Sequence, residues 1–317
     1  MTTHRLRPAV LSVLVALASA FALSGCFQPS SLGFPGPYEA SAYHETYGEE
    51  ALPLTVFYPD TNPPRRNLPT IIFTPGFIQP RASYESYGWQ LAQWGFVVVI
   101  RAYPSLGFGG VGDALIDDHV IECGRIIDWL VEENRREDSR LYGMIDETRF
   151  GVAGHSVGAS VSIATAVTDP RIDAMVALDV AYDGADLDVL GALPDTQAAM
   201  MYIRGDAGGL CGRSPFATVP LIDYSPPPSI EVTIRGADHM DFLDGLIGLY
   251  DFGYEVVSLC SDGPADEEWV RAMATKYMVA WFNVYLKGQD EFRDYYEGAR
   301  ADEDVAADAV DFVRVLD

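Results

Sequence analysis

The sequence predicts an α/β fold: a mostly parallel central sheet with helices on both faces. Short apolar runs typical of buried strands alternate with longer amphipathic segments typical of helices, and this alternation indicates βαβ units. The run at 96–100 is unbroken, so it predicts a strand that is covered on both faces. Hydrophobic residues make up 49% of the 317 residues, which is enough for a large core.

The elements follow one another regularly from about residue 38. Alternating residues predict a β-hairpin first, and helical periodicity with acids at its start predicts the helix over 113–134. The acidic stretch that ends with residues 311–315 predicts one more packed element, without indicating its place. In chain order we predict a hairpin over 38–58, strand 70–74, helix 84–94, strand 96–100, helix 113–134, strand 149–153, helix 159–168, strands 172–178, 198–203 and 230–234, and helix 267–286.

The N-terminus reads as a targeting segment. Arg5 and Arg7 precede an apolar run over 9–23 that is too short for a membrane span and ends in LSGC at 23–26. This ending resembles a bacterial lipobox, in which Cys26 is acylated, so we expect a lipid-anchored protein that faces outside the cytoplasm. The expected parts are a signal peptide, a Pro-, Gly- and Ser-rich flexible tether and a single catalytic domain, over residues 1–25, 26–37 and 38–317.

The charge balance narrows the choice of partners. Acidic residues number 46 against 21 basic ones, and the formal net charge is −25. Such a surface repels nucleic acid and anionic lipid, so we expect no nucleic-acid partner and membrane contact only through the N-terminal lipid.

The sequence GHSVG at 154–158 fits the G-x-S-x-G pattern of a nucleophile elbow. An apolar strand precedes it and a helix rich in small residues follows it, as a sharp strand-to-helix turn requires. We therefore predict Ser156 as the nucleophile and treat His155 as its neighbour, not as the base. The alternative is a structural turn with an inert serine.

Two backbone amides are candidates for stabilising an oxyanion. The helix after the elbow directs its N-terminal amides at the site, so the amide of Val157 is the first candidate. The second donor should come from the loop after an early strand, where Phe77 follows the sequence TPG at 74–76. The alternative for Phe77 is a simple turn at the end of a strand.

His239 is the only histidine after Ser156, and it follows a late strand, as the Ser, acid, His order along the chain requires. Two acids fit that order. Asp179 ends the strand over 172–178, and Asp206 lies just past the strand over 198–203. Both stay open on the residues alone. Three other acids nearby read as loop or helix-capping residues: Asp183, Asp241 and Asp244.

Over about residues 38–287 the chain resembles the chlorophyllase, cutinase-like polyester hydrolase and platelet-activating-factor acetylhydrolase branch of the α/β hydrolases. TPGF at 74–77, LDV at 178–180 and DHMDFLD at 238–244 are similar to the oxyanion, acid and histidine segments. Resemblance to chlorophyllases implies Asp179 as the acid, whereas the cutinase-like enzymes imply Asp206; we favour Asp179. Val157 stands where plant chlorophyllases carry arginine, so the resemblance supports fold and reaction type, not a chlorophyll substrate.

Two of the remaining cysteines are candidates for a disulfide. Cys211 and Cys260 flank the proposed site in sequence, echo cysteines of the resembled enzymes, and would lie in an oxidising compartment, but the sequence leaves open whether they are bridged. Cys123 falls in an amphipathic helix and is expected to be a buried apolar residue. The cysteine spacing does not match a zinc site.

These residues predict a serine carboxylic ester hydrolase that acts through an acyl-enzyme on a small or polymeric ester, without a metal or cofactor. Tyr84, Tyr87 and Trp89 are candidates for an apolar acyl pocket, although core packing is the simpler interpretation. Two alternatives stay open: a non-catalytic lipoprotein that binds a ligand or partner, and a hydrolase of another bond, such as a lactone or an amide.

Overall fold

The computed structural model describes residues 35–48, 51–77, 79–102, 113–180, 191–207, 221–245 and 263–316. In these ranges the strands form one sheet, and their order in space differs from their order in the chain. The strands are β1 Ala40–Tyr47, β2 Leu52–Pro59, β3 Leu68–Thr74, β4 Val97–Arg101, β5 Ile145–His155, β6 Ile172–Leu178, β7 Ala199–Gly205, β8 Ser229–Ile234 and β9 Val310–Val315.

The sheet order is β1-β2-β4-β3-β5-β6-β7-β8-β9. The strands from β4 to β8 run parallel, whereas β1, β2 and β9 pair antiparallel with their neighbours. The predicted mostly parallel sheet is therefore confirmed. Because the carboxyl ends of parallel strands meet at one edge, the segments that follow β3, β5, β6, β7 and β8 gather there.

Helices cover both faces of the sheet, as predicted. The apolar residues of β4 alternate: Val98 and Ile100 pack with α1 and α4, and Val97 and Val99 pack with α2 and α3. The sheet is thus buried on both faces, which explains the unbroken apolar run at 96–100. The helices are α1 Glu85–Gln93, α2 Asp113–Arg135, α3 Val157–Thr168, α4 Glu267–Lys287 and α5 Ala299–Ala306.

The long helix α4 carries a buried ion pair. The side chain of Lys276 is fully buried and its Nζ contacts Asp304 Oδ2 in α5. The hydroxyl of Tyr277 donates to the same carboxylate oxygen at 2.8 Å. Burial lowers the pKa of Lys276 from its ordinary value, and the carboxylate opposes that effect. This pair fastens α5 to the face of the sheet that α4 covers.

The acidic C-terminal stretch, which the sequence left without a position, forms the edge strand β9. It pairs antiparallel with β8, from Ile234 with Val310 to Ser229 with Val315. Within the described ranges, none of the helices is long and apolar enough to cross a membrane.

Candidate active site

The elbow at Ser156 is a strained turn between β5 and α3. Ser156 has φ 58° and ψ −122°, a conformation that residues with a side chain rarely adopt. Its backbone N–H donates to the carbonyl of Leu178 at 3.0 Å, which ties the turn to the end of β6. This hydrogen bond supports the strained conformation, and the turn holds the serine at the carboxyl edge of the sheet.

Both glycines of the elbow are required by close backbone approach. A Cβ on Gly154 would lie 2.2 Å from the carbonyl oxygen of Gly158, and a Cβ on Gly158 would lie 2.1 Å from the carbonyl oxygen of Thr74. Such separations are far below van der Waals contact, so the helix could not start this close to β3 with any other residue.

Three side chains of the site form a continuous hydrogen-bonded chain. His239 Nε2 lies 3.0 Å from Ser156 Oγ, and His239 Nδ1 lies 2.5 Å from Asp179 Oδ2. All three residues are buried. An ionised carboxylate only accepts hydrogen bonds, so Nδ1 carries the proton of the neutral imidazole and leaves Nε2 as an acceptor for the serine hydroxyl.

The structure distinguishes the two candidate acids by their contacts. Asp179 follows β6 directly, has φ 39°, and its Oδ1 accepts the N–H of Gly205 at 3.2 Å. Asp206 instead accepts the N–H of Gly236 at 2.6 Å and pairs with Arg235 at 2.9 Å. The carboxylate that the fold brings to the imidazole is that of Asp179.

The loop that carries His239 is held by its own acids. Asp241 Oδ2 accepts the N–H of Asp238 at 2.8 Å, and Asp238 accepts the N–H groups of Met240 and Gly263, each at 2.8 Å. Burial raises the pKa of Asp241 to about 6. The backbone N–H groups of both neighbours of His239, Asp238 and Met240, are therefore held by carboxylates of the same loop.

A third acid fastens this loop to α1, because Asp244 Oδ2 accepts the N–H of Ser86 at 2.7 Å. Asp241 and Asp244 thus act as loop and helix-start acceptors, as their predicted capping role implies. Asp183 lies outside the described residues.

The two predicted oxyanion donors belong to different segments: Val157 starts α3, and Phe77 lies in the loop after β3. Val157 is the first residue of α3, so its N–H has no acceptor within the helix. Gly76 lies so close to the nucleophile that a Cβ there would be 3.3 Å from Ser156 Cβ. The N–H of Gly76 is already donated to the Tyr84 hydroxyl at 3.1 Å. Phe77 is the next residue along this loop, and its role as an oxyanion donor stays a prediction.

A buried network beneath the site was not predicted from the sequence. The ring of His155 places Nδ1 2.9 Å from the Tyr84 hydroxyl and Nε2 2.9 Å from the backbone carbonyl of His239. Burial, together with the positive charge that His239 can carry, lowers the pKa of His155 well below its ordinary value. The available signal was the position of His155 in the elbow, but nothing in the sequence indicated its partners.

The remaining predicted residues have varied outcomes. Tyr84 and Tyr87 are fully buried in the core, and Trp89 is 37% exposed on α1. Cys123 is buried and unbridged, as expected. Cys26, Cys211 and Cys260, with the signal peptide and most of the tether, lie outside the described residues. In the part of the chain that the structure describes, no group of His, Cys, Asp or Glu side chains is arranged to hold a metal ion.

The arrangement fits general-base activation of a hydroxyl. A serine oxygen at a strained turn shares its proton with an imidazole whose other nitrogen is held by a carboxylate, next to a helix N-terminus.

Residues 44–184 match the PETase family, described as PET hydrolase-like. The matched span is somewhat less than half of the chain. It contains Phe77, Ser156, Val157 and Asp179 and ends before Asp206 and His239. It confirms the resemblance to cutinase-like polyester hydrolases of the α/β-hydrolase type and supports an ester hydrolase. A comparison with curated proteins found no match.

Proposed function

We propose that this chain, whose residues 44–184 carry the PET hydrolase-like pattern, is a serine-dependent carboxylic ester hydrolase that acts through an acyl-enzyme. One observation carries the proposal: the hydrogen-bonded chain from Ser156 Oγ through His239 to Asp179 at a strained elbow.

In the first half of the reaction, His239 Nε2 takes the proton of Ser156 as Oγ attacks the ester carbonyl carbon. The amides of Phe77 and Val157 donate to the oxyanion of the tetrahedral intermediate. When the intermediate collapses, the bond to the alcohol oxygen breaks and His239 returns its proton to that oxygen. The acyl group stays on Ser156.

In the second half, His239 takes a proton from water, and the hydroxide attacks the acyl carbonyl carbon. The bond to Ser156 Oγ then breaks, and His239 protonates that oxygen. The carboxylic acid leaves and the enzyme is restored. Asp179 keeps the proton on His239 Nδ1 throughout and stabilises the imidazolium.

The family match favours a polymeric ester, because PET is an aromatic polyester, while the same chemistry serves small esters. A panel of p-nitrophenyl esters of rising chain length, together with aromatic polyester film, tests this order of preference. Hydrolysis of anilides without hydrolysis of any ester would contradict the reaction class.

A fluorophosphonate probe tests the nucleophile. The wild-type chain should be labelled at neutral pH, and Ser156→Ala should lose labelling and all ester hydrolysis. Ser162→Ala is the matched control, because Ser162 is a buried serine on α3, the helix that follows Ser156, and its Oγ donates to the carbonyl of Gly158 at 2.9 Å. A folded wild-type chain that takes no label would instead support a non-catalytic binding protein.

We also propose the cell-envelope location and the lipid anchor at Cys26, on the lipobox-like sequence at 23–26. In a bacterial host, radiolabelled palmitate should be incorporated into the wild type and not into Cys26→Ser. Equal incorporation in both would contradict the anchor.

A further inference from the structure

The buried ring of His155 joins the three segments that build the site. It belongs to the elbow itself, its Nε2 reaches the backbone of the histidine loop, and its Nδ1 reaches Tyr84, which holds the loop after β3. The ring lies 4.6 Å from the ring of His239 and is nearly parallel to Phe242 at 6.0 Å. The two hydrogen bonds of the ring, to the Tyr84 hydroxyl and to the His239 backbone, involve no side chain of the proposed mechanism.

The direction of each hydrogen bond in this network is determined by chemistry. The carbonyl of His239 can only accept, so Nε2 of His155 must carry the proton. In the neutral ring Nδ1 is then an acceptor, so the Tyr84 hydroxyl donates to it. The hydroxyl oxygen is left to accept the N–H of Gly76. The His155 ring nitrogens, the Tyr84 hydroxyl and the Gly76 N–H are therefore all hydrogen-bonded, and reversing the direction of one bond would break its neighbours.

Each end of the network touches a part of the site that must be positioned accurately. At one end is the backbone of the proposed base, His239. At the other is the N–H of Gly76, the residue before Phe77, which is the proposed oxyanion donor. Misplacement of reacting groups by about 1 Å costs about 10²-fold in rate, so the ends of this network are places where small shifts matter.

We propose that His155 is a positioning residue: through Tyr84 and the His239 carbonyl it sets the base and the oxyanion loop against the nucleophile. This inference rests on the proposed function. Burial lowers the pKa of His155 well below its ordinary value, which favours the neutral ring that these bond directions require.

The test uses a set of substitutions at His155 that remove its bonds separately. His155→Phe keeps an aromatic ring and loses both bonds. An amide nitrogen of Gln reaches the position of Nε2, so His155→Gln can keep the bond to the His239 carbonyl. An Asn amide reaches the position of Nδ1, so His155→Asn can keep the bond to Tyr84.

With a p-nitrophenyl ester, we expect His155→Phe to lower kcat by about 10–100-fold. KM should change by less than about threefold, since His155 is buried and presents almost no surface to a substrate. His155→Gln should recover part of the lost kcat, and its kcat should be higher than that of His155→Asn. The reason is that the bond to the His239 carbonyl, which Gln can keep, has the larger effect on proton transfer. Wild-type kcat in His155→Phe would overturn the proposal, as would a loss confined to KM.

Tyr84→Phe provides an independent test that leaves His155 in place. We expect kcat to fall by about 10-fold, and the same change to cost less in the His155→Phe background, because its bond is already lost. Tyr202→Phe is the matched control, since Tyr202 is also a buried tyrosine whose hydroxyl bonds a side chain, that of Ser225, at 2.7 Å. Equal effects of Tyr84→Phe and Tyr202→Phe would overturn the proposal.

Thermal unfolding followed by circular dichroism identifies any variant that fails to fold. If His155→Phe does not fold, the proposal is tested by two other results: the order of kcat between His155→Gln and His155→Asn, and the comparison of Tyr84→Phe with Tyr202→Phe. The outcomes also separate the two proposals. A wild-type chain without fluorophosphonate labelling contradicts the ester hydrolase, whereas a labelled, active wild type with unchanged His155 and Tyr84 variants contradicts only the positioning role.

Discussion

Replacing Asp179 by asparagine tests which carboxylate serves His239. In the structure Oδ2 accepts from the imidazole and Oδ1 accepts from the N–H of Gly205. An asparagine keeps both contacts only when its NH₂ faces the ring and its oxygen faces Gly205. The ring then accepts at Nδ1 and carries its proton on Nε2, so it can no longer take the proton of Ser156.

The size of the loss follows from these contacts. Turning the amide so that its oxygen faces His239 restores the working tautomer, but places NH₂ against the N–H of Gly205 and costs about 1–3 kcal/mol for the unpaired donors. In either orientation the imidazolium of the transition state loses a negative charge at about 4 Å, worth about 4 kcal/mol at an effective dielectric constant of about 20. The total of about 5–7 kcal/mol corresponds to a loss of about 10⁴- to 10⁵-fold in kcat.

The assay is the steady-state hydrolysis of a p-nitrophenyl ester by Asp179→Asn and by Asp206→Asn, with thermal unfolding measured for both. Asp206→Asn removes a partly exposed pair with Arg235, so its kcat should stay within about threefold of wild type. The opposite result, with Asp179→Asn nearly fully active and Asp206→Asn reduced about 10³-fold, would refute the reasoning.

Three stability predictions concern other parts of the fold. Gly158→Ala places a Cβ 2.1 Å from a backbone oxygen of β3 and should lower the free energy of unfolding, measured in urea, by at least ~3 kcal/mol. Its control is Gly191→Ala, where the added Cβ meets open space and the free energy of unfolding should change by less than about 0.5 kcal/mol. Burial raises the pKa of Asp241 to about 6, so ionisation of this carboxyl destabilises the fold as the pH rises from about 4 to 6. The free energy of unfolding of Asp241→Asn should therefore exceed that of the wild type by about 1–2 kcal/mol at about pH 8 and equal it near pH 4. An equal gain at both pH values would contradict this reasoning. Asp304→Ala leaves the buried ammonium of Lys276 unpaired and should cost about 3–5 kcal/mol, while Lys276→Met combined with Asp304→Leu should cost far less; equal losses would show that the pair itself stabilises the fold.

Local patterns were sufficient for the fold class and for the strained elbow at Ser156. Strand and helix periods are properties of consecutive residues, so the run at 96–100 and the helix after Ser156 could be read directly. The glycines around Ser156 are a local requirement of a tight turn, and His239 was selected because no other histidine follows the elbow. The catalytic roles of these residues stay predictions that the experiments above test.

The choice of acid and the partners of His155 depended on the tertiary structure. Asp179 and Asp206 follow adjacent strands, and both fit the order along the chain; only the path of the loop after β8 brings the imidazole to one carboxylate and Arg235 to the other. The same holds for the place of β9 at the sheet edge. A hydrogen bond tolerates changes of only a few tenths of an ångström in its donor–acceptor distance. Between residues about 60 to 84 positions apart, that distance is determined by the packing of whole elements rather than by any local pattern.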